Sequence, residues 1–168
     1  MTTPLIMLAL LATPWLFALL IRRVLKIDRR IVDLAGILGI MLVFCFTGIG
    51  HFIKTQSMSE MLPQFVPARI LLVYATGVLE MSLAFGVLFP RRRRIIGGTL
   101  IAMLLAFLQV NVFAAVNHVN MGGHRWGPIY LLIRVPLQVI LVIWVWYFCI
   151  RQTSGSHKRS VAVTKAVH

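Results

Sequence analysis

The chain is too apolar to be a soluble globular domain. Of its 168 residues, 60% are hydrophobic and only 12% are charged, whereas soluble domains average about 45–50% apolar and about 25% charged residues. The same composition excludes a disordered chain, and two cysteines exclude a disulfide scaffold. The net charge of +13 does not indicate nucleic-acid binding, because the basic residues form blocks at the ends of apolar runs and not one basic face.

Five apolar runs follow one another along the chain, and their lengths are 18, 23, 20, 23 and 22 residues. A helix of about 20 apolar residues crosses the hydrocarbon core of a bilayer, and a helix satisfies its own backbone hydrogen bonds there. The sequence therefore predicts an all-α polytopic membrane protein with five spans. The runs are Pro4–Ile21, Ile31–Ile53, Ile70–Phe89, Ile95–Asn117 and Ile129–Ile150.

The first run is the shortest and contains Pro14, so it fits either a membrane span or a signal peptide. A signal peptide begins with basic residues, but here the first basic residue is Arg22, after the run. We therefore predict a retained helix with Pro14 as a tolerated kink. Residues 1–30 would form this span and its basic loop, residues 31–150 a membrane bundle of four helices, and residues 151–168 a flexible basic tail.

The basic residues predict the orientation of these spans. Thirteen of the 17 fall in three blocks, Arg22–Arg30, Arg91–Arg94 and Arg151–Lys165, which follow the first, third and fifth runs. Lys and Arg collect in short cytoplasmic loops. The pattern predicts a multi-pass inner-membrane protein with its N-terminus outside and its C-terminus in the cytoplasm.

Several polar side chains interrupt the apolar runs, and ionisable groups inside a span are functional-site candidates. The depth of each residue follows from its distance from the outer end of its run and from the helical rise per residue. By this measure Glu80 and Gln138 lie at about the same depth, while Asn111 and Arg134 lie about one and a half turns closer to the outer face. His51 lies near the outer end of its run. The pattern predicts an outward-opening cavity with Glu80 as the catalytic carboxyl, ligand-binding groups at Asn111, Arg134 and Gln138, and His51 at its mouth.

A purely structural role for the same residues stays open. Glu80 and Arg134 could neutralise each other as an ion pair that fixes helix register, with Asn111 and Gln138 as interhelical hydrogen bonds. Either hypothesis predicts that Glu80 and Arg134 approach to hydrogen-bond distance or are joined through one water.

The sequence gives weaker support for a haem site, a disulfide or a zinc site. His51, His118 and His124 all lie near the outer face, where two imidazoles could ligate a haem, but the latter two lie in or beside a Gly-rich loop. Cys45 and Cys149 lie at different depths and are not predicted to pair. No zinc-site spacing is present, so we expect no metal.

Five short motifs in the last four spans and their loops carry a family resemblance. The chain resembles the DoxX-like family of small bacterial membrane proteins in Gly-Ile-Gly-His-Phe at 48–52, Phe-Val-Pro at 65–67, Gly-Val-Leu-Glu at 77–80, Asn111 and Arg-Val-Pro-Leu-Gln at 134–138. The resemblance implies a four-helix membrane bundle, to which Pro4–Ile21 adds an extra span. It also implies a bacterial inner-membrane location and a connection to quinone-reducing oxidoreductases.

Three functions are compatible with this sequence. The first is a quinone- or small-lipid-linked subunit of a membrane redox assembly, in which Glu80 carries a proton to or from a quinone oxygen. Arg134 would set how easily Glu80 gains or loses that proton. The second is a non-catalytic structural or chaperone-like subunit. A small transporter is disfavoured, because five spans leave little room unless the protein forms a homo-oligomer. The expected partners are membrane lipids and membrane or soluble oxidoreductase subunits, and quinone is the one cofactor considered.

Overall fold

The computed structural model describes residues 2–121 and 123–152 and contains helices with no strand over those ranges. Five of its helices are long and apolar enough to cross a membrane, which confirms the prediction of an all-α membrane protein with five spans. The predicted tail falls mostly outside the described residues. The helices are α1 Thr2–Leu25, α2 Arg29–Ile53, α3 Thr55–Glu60, α4 Arg69–Gly86, α5 Arg93–Val116 and α6 Leu131–Val145.

The fifth span is longer than α6 alone. A 3₁₀ segment over His124–Tyr130 leads into α6, and a π-helical turn over Trp146–Arg151 continues it, so that the candidate span covers His124–Arg151. Gly127 interrupts the 3₁₀ segment with a φ of +69°, a conformation that glycine adopts without steric cost. The chain can therefore turn there into the membrane.

Helix α1 packs closely against α2. Gly39 permits this contact, since a Cβ atom at that position would overlap the backbone carbonyl of Leu11. Trp15 also packs edge-on against Trp144, with 5.5 Å between ring centroids. Pro14 lies inside α1 without ending it, as the sequence predicts, and α1 belongs to the same packed body as the other spans.

Helix α2 is the central helix, and it contacts α1, α4 and α6. Asp28 caps its N-terminus by accepting a hydrogen bond from the Arg30 amide at 3.1 Å, which satisfies one of the free N–H groups of the first turn. At the same end of the bundle, the Trp144 indole donates to the Gly36 carbonyl at 3.1 Å. This bond fixes α6 against α2.

The apolar core fills the space between α1, α2, α5 and α6. Arg93 closes the turn between α4 and α5 by donating from Nε to the Val87 carbonyl at 2.9 Å, so one basic residue of that block also caps a helix. The largest fully buried apolar side chains are Phe44, Leu11, Ile37, Ile40, Leu100, Val43, Val87 and Val145.

Candidate functional site

Glu80 lies on the narrow buried stripe of α4, which consists of Val73, Gly77, Glu80 and Ala84. Only 2% of Glu80 is exposed. The stripe faces α2 where both helices carry glycine: a Cβ atom at Gly77 would lie 2.7 Å from the Cβ of His51. Small residues of this kind let membrane helices approach closely, and here the approach places a carboxyl group inside the protein.

His51 is the titratable side chain that faces Glu80. Its Nε2 lies 3.4 Å from Glu80 Oε2, and both side chains are largely buried. The contact does not have hydrogen-bond geometry, so Oε2 is the one buried side-chain oxygen or nitrogen without a hydrogen bond among the described residues. An unsatisfied buried polar atom is costly and calls for an explanation.

The other ring nitrogen of His51, Nδ1, determines which nitrogen carries the proton when the histidine is neutral. Nδ1 lies 3.1 Å from the Val73 carbonyl and 3.2 Å from the Thr76 hydroxyl. Because a carbonyl oxygen only accepts hydrogen bonds, this contact assigns a proton to Nδ1. In neutral histidine Nε2 then carries a lone pair toward Glu80. One further proton, on either group, is needed to join His51 and Glu80 by a hydrogen bond.

Asn111 organises a second polar group, between α5 and α6. Its Oδ1 accepts from Arg134 Nε at 3.2 Å and lies 3.1 Å from His124 Nε2, while its Nδ2 donates to the Phe107 carbonyl at 2.8 Å. Since Arg Nε is always a donor, this contact fixes the orientation of the amide. Asn111 and His124 are both buried. Because His124 Nδ1 also faces an acceptor, the Met121 carbonyl at 2.9 Å, His124 donates to both only when both ring nitrogens carry a proton.

Arg134 turns toward α1. Its Nη1 donates to Met7 Sδ at 3.9 Å, and the Tyr130 hydroxyl also interacts with the guanidinium. Within the described part of the chain, the contacts of up to 4.0 Å between a carboxylate and a basic side chain are Arg30–Asp28 and His51–Glu80. Arg134 therefore has no carboxylate at contact distance there.

Among the described residues, Glu80 and Arg134 thus form no direct ion pair, and their predicted approach through one water stays a prediction. The two groups do act on each other electrostatically, but Glu80 contacts His51 and Arg134 contacts Asn111. The reason lies in the helix neighbours: α4 packs mainly on α2 and α3, whereas α6 packs mainly on α5 and α1. Equal depth along two helices does not make those helices adjacent.

Gln138 also joins α5 and α6, one turn along α6 from Arg134. It is buried, and its Nε2 donates to the Leu104 carbonyl on α5. The five predicted site residues therefore form two groups rather than one. We name His51 and Glu80 the α2–α4 pair, and Asn111, Arg134, Gln138 and His124 the α5–α6 network.

Two cavities stand out over the described residues. One, of about 330 Å³, is an apolar groove between α1 and α6; the other, of about 270 Å³, lies at one end of the bundle beside Lys54 and Asn120. Neither is lined by Glu80, Asn111, Arg134 or Gln138, so neither is the predicted cavity.

Sequence reasoning missed Thr47, Thr76 and Tyr130 and assigned His124 only to the haem alternative. Helical spacing could have found both threonines, because Thr47 lies one turn before His51 and Thr76 one turn before Glu80. The Thr47 hydroxyl donates to the Val43 carbonyl at 3.1 Å and also interacts with the Glu80 carboxyl. Nothing in the sequence signals that the loop residue His124 turns back into the bundle.

These features define the class: a small polytopic membrane protein with polar groups buried between its helices. The chain belongs to the family described as a domain of unknown function (DUF8561), whose model matches residues 34–149. The match covers the last four spans and leaves α1 outside. Comparison with curated proteins and with solved structures finds no match.

Proposed function

We propose that the protein is a quinone- or small-lipid-linked subunit of a membrane redox assembly, in which the α2–α4 pair exchanges a proton with the bound ligand. The observation that carries the proposal is the buried Glu80 Oε2, which has no hydrogen bond and faces His51 Nε2 at 3.4 Å. An ionisable group inside a span is costly and usually functional.

The pair has the chemistry that a proton-exchanging site needs. His51 holds one proton on Nδ1 against the Val73 carbonyl, so its Nε2 and the Glu80 carboxyl share the next one. A second proton acceptor within reach of Glu80 lets the carboxyl give up a proton and regain it without leaving the bundle. Thr76 keeps the imidazole oriented through its contact at Nδ1.

A quinone would supply the redox chemistry, since it takes up electrons and protons as it becomes a quinol. The orphaned Glu80 oxygen fits such a group, because it is a polar atom in an apolar setting that lacks a partner. The residues of this chain would deliver the proton, while the electrons would come from a partner oxidoreductase subunit, in the membrane or soluble. The described residues contain no group of three or more His, Cys, Asp or Glu side chains that could hold a metal ion.

The architecture proposed with this function is the DoxX-like bundle of four helices, α2, α4, α5 and α6, with α1 as an additional span. The proposed location is the bacterial inner membrane with the N-terminus outside. Its support is the distribution of charge: the basic blocks lie at the α1–α2 turn, the α4–α5 turn and the end of the fifth span. With alternating spans these three positions share one side of the membrane.

Thermal unfolding of the purified protein with a short-chain quinone tests the proposal. A ligand present at 100 times its Kd stabilises the folded state by about 2.7 kcal/mol, which raises Tm by a few degrees in a domain of this size. Glu80→Gln should still fold but should lose any proton-coupled reduction of the quinone. The matched control is Glu60→Gln, because Glu60 is exposed at the end of α3. An unchanged Tm with ubiquinone and menaquinone analogues would contradict the proposal.

A structural or chaperone-like subunit is the second candidate, and the α5–α6 network favours it. Asn111 accepts from Arg134 and donates to the Phe107 carbonyl, and Gln138 donates to a backbone carbonyl of the neighbouring helix. Such mutually satisfied groups serve helix association without any ligand. Under this hypothesis, Glu80→Gln leaves the amount of an associated membrane protein unchanged, whereas loss of Asn111 lowers it.

A further inference from the structure

The three basic blocks come together at one end of the bundle. Gln152, at the end of the fifth span, donates from Nε2 to Asp33 Oδ1 near the start of α2 at 2.9 Å. Near the start of α5, a Cβ atom at Gly97 would lie 2.6 Å from the Cβ of Cys149 in the fifth span. The α1–α2 turn, the α4–α5 turn and the end of the fifth span therefore share one surface, which we name the basic end.

The charge of the basic end is strongly positive and largely unpaired. Its described residues include ten Lys and Arg side chains against two acidic ones, Asp28 and Asp33. Both carboxylates are engaged, since Asp28 caps α2 and Asp33 accepts a hydrogen bond from a glutamine. Of the ten cations, Arg30 alone lies within 4.0 Å of a carboxylate. The ten lie in Arg22–Arg30, Arg91–Arg94 and Arg151.

The start of α5 is the least compensated part of this surface. Arg92 is the N-cap residue of α5, Arg93 and Arg94 follow it, and the first turn contains no acidic residue. The N-terminus of a helix carries a partial positive charge, so cations there are unfavourable for the helix itself. Local folding therefore does not explain these arginines, whereas an anion at the surface would offset their repulsion.

Exposed apolar side chains lie directly beside these cations. Leu25 precedes Lys26, and Phe89 and Ile95 enclose the basic block of the α4–α5 turn. All three apolar residues are exposed. Because the basic residues lie at the ends of candidate spans, they are placed at the level of lipid headgroups. A phospholipid can use both features at once, whereas a soluble anion can use only the charge.

We propose that the basic end binds anionic phospholipids, whose phosphate groups pair with its arginines and whose acyl chains lie against the neighbouring apolar residues. Lys and Arg clusters beside a span attract anionic lipid, and a guanidinium can donate two parallel hydrogen bonds to a phosphate. Arg91, Arg92 and Arg94 are exposed, and their side chains make no hydrogen bond to the described residues. Arg93 is instead occupied by the Val87 carbonyl. The α4–α5 turn is therefore the principal contact.

Native mass spectrometry of the full chain in detergent tests the proposal by counting bound lipids. Phosphatidylglycerol and phosphatidylcholine with the same acyl chains differ only in the headgroup. We expect phosphatidylglycerol to bind about fivefold more tightly or better, because each basic residue near an anionic headgroup contributes about that factor. Equal affinity for the two lipids would overturn the proposal. Glycerol phosphate supplies the phosphate without acyl chains, and displacement of phosphatidylglycerol by it at equal concentration would overturn the assignment to a lipid.

Two matched double variants locate the bound lipid. Arg92→Gln with Arg94→Gln removes two cations from the basic end, and Lys54→Gln with Arg125→Gln removes two exposed cations from the opposite end. The first should weaken phosphatidylglycerol binding by about fivefold for each arginine, and the second should leave it unchanged. Equal losses would overturn the placement at the basic end.

The variant at the start of α5 also controls for its own folding. Because Arg92 and Arg94 oppose the helix dipole, their removal should leave Tm in phosphatidylcholine unchanged or higher, so weaker binding there is not a loss of fold. The surface uses neither the α2–α4 pair nor the α5–α6 network. Glu80→Gln should therefore not change the affinity for phosphatidylglycerol, which separates failure of this proposal from failure of the redox proposal.

Discussion

His51 Nε2 and Glu80 Oε2 face each other at 3.4 Å between α2 and α4, in a place where both helices come close because Gly48 and Gly77 lack side chains. Glu80 Oε2 makes no hydrogen bond in this arrangement. The pair is thus held together by the packing of the helices and not by its own bond.

The pair should show energetic coupling. Replacing either His51 or Glu80 by Leu removes one of two buried groups that face each other at 3.4 Å, so the effect of the double replacement should differ from the sum of the two single effects by about 0.5–3 kcal/mol. A double-mutant cycle in a denaturant titration of the detergent-solubilised protein measures this coupling. The comparison cycle pairs Glu80 with Arg134, which does not contact it, and should give a smaller coupling. A larger coupling to Arg134 would restore the ion pair that depth alone predicts.

The sequence predicts the helices far better than it predicts their neighbours. Hydropathy is sufficient for the five spans because each long run must become a helix in lipid. The short helix α3 and the 3₁₀ segment at His124 lie in polar loops, where no such constraint acts. Depth correctly selects Glu80, Asn111 and Arg134 as buried or partly buried, but the angular position of a residue around the bundle depends on packing. The separation of the site into two groups is therefore visible only in the structure.

Asn111 should be far more important for stability than Asn117, although both lie at the same end of the fourth span and make the same local bond. Each donates from Nδ2 to the carbonyl four residues earlier at 2.8 Å. Asn111 also accepts from Arg134 and faces His124, while Asn117 is exposed. Asn111→Leu should therefore cost about 1–3 kcal/mol for each orphaned donor, and Asn117→Leu should have little effect. Thermal unfolding of the two variants side by side provides the measurement, and equal losses would argue against the network.

The contact between α1 and α2 should depend on Gly39. A methyl group at this position overlaps the Leu11 carbonyl, which belongs to a rigid helix backbone, so Gly39→Ala should cost about 1–3 kcal/mol. Gly98→Ala is the control, because no atom lies within 4 Å of a Cβ atom there; it should be neutral or stabilising, since alanine is the better helix former by about 1 kcal/mol. Protease accessibility of α1 in nanodiscs would report its release in the first variant and not in the second.

Orientation in the membrane is the last prediction, and it follows from charge and span number together. Five candidate spans would place the two ends of the chain on opposite sides of the membrane, and the basic blocks after the first, third and fifth spans should lie in the cytoplasm. Arg92→Cys, in the α4–α5 turn, and Ser57→Cys, on α3, lie at opposite ends of the bundle. A membrane-impermeant thiol reagent applied to intact cells should label Ser57→Cys and should label Arg92→Cys only after lysis. The native Cys45 and Cys149 lie within spans, and the unmodified protein provides the background. Labelling of Arg92→Cys in intact cells would reverse the orientation, and labelling of both would contradict the five-span arrangement itself.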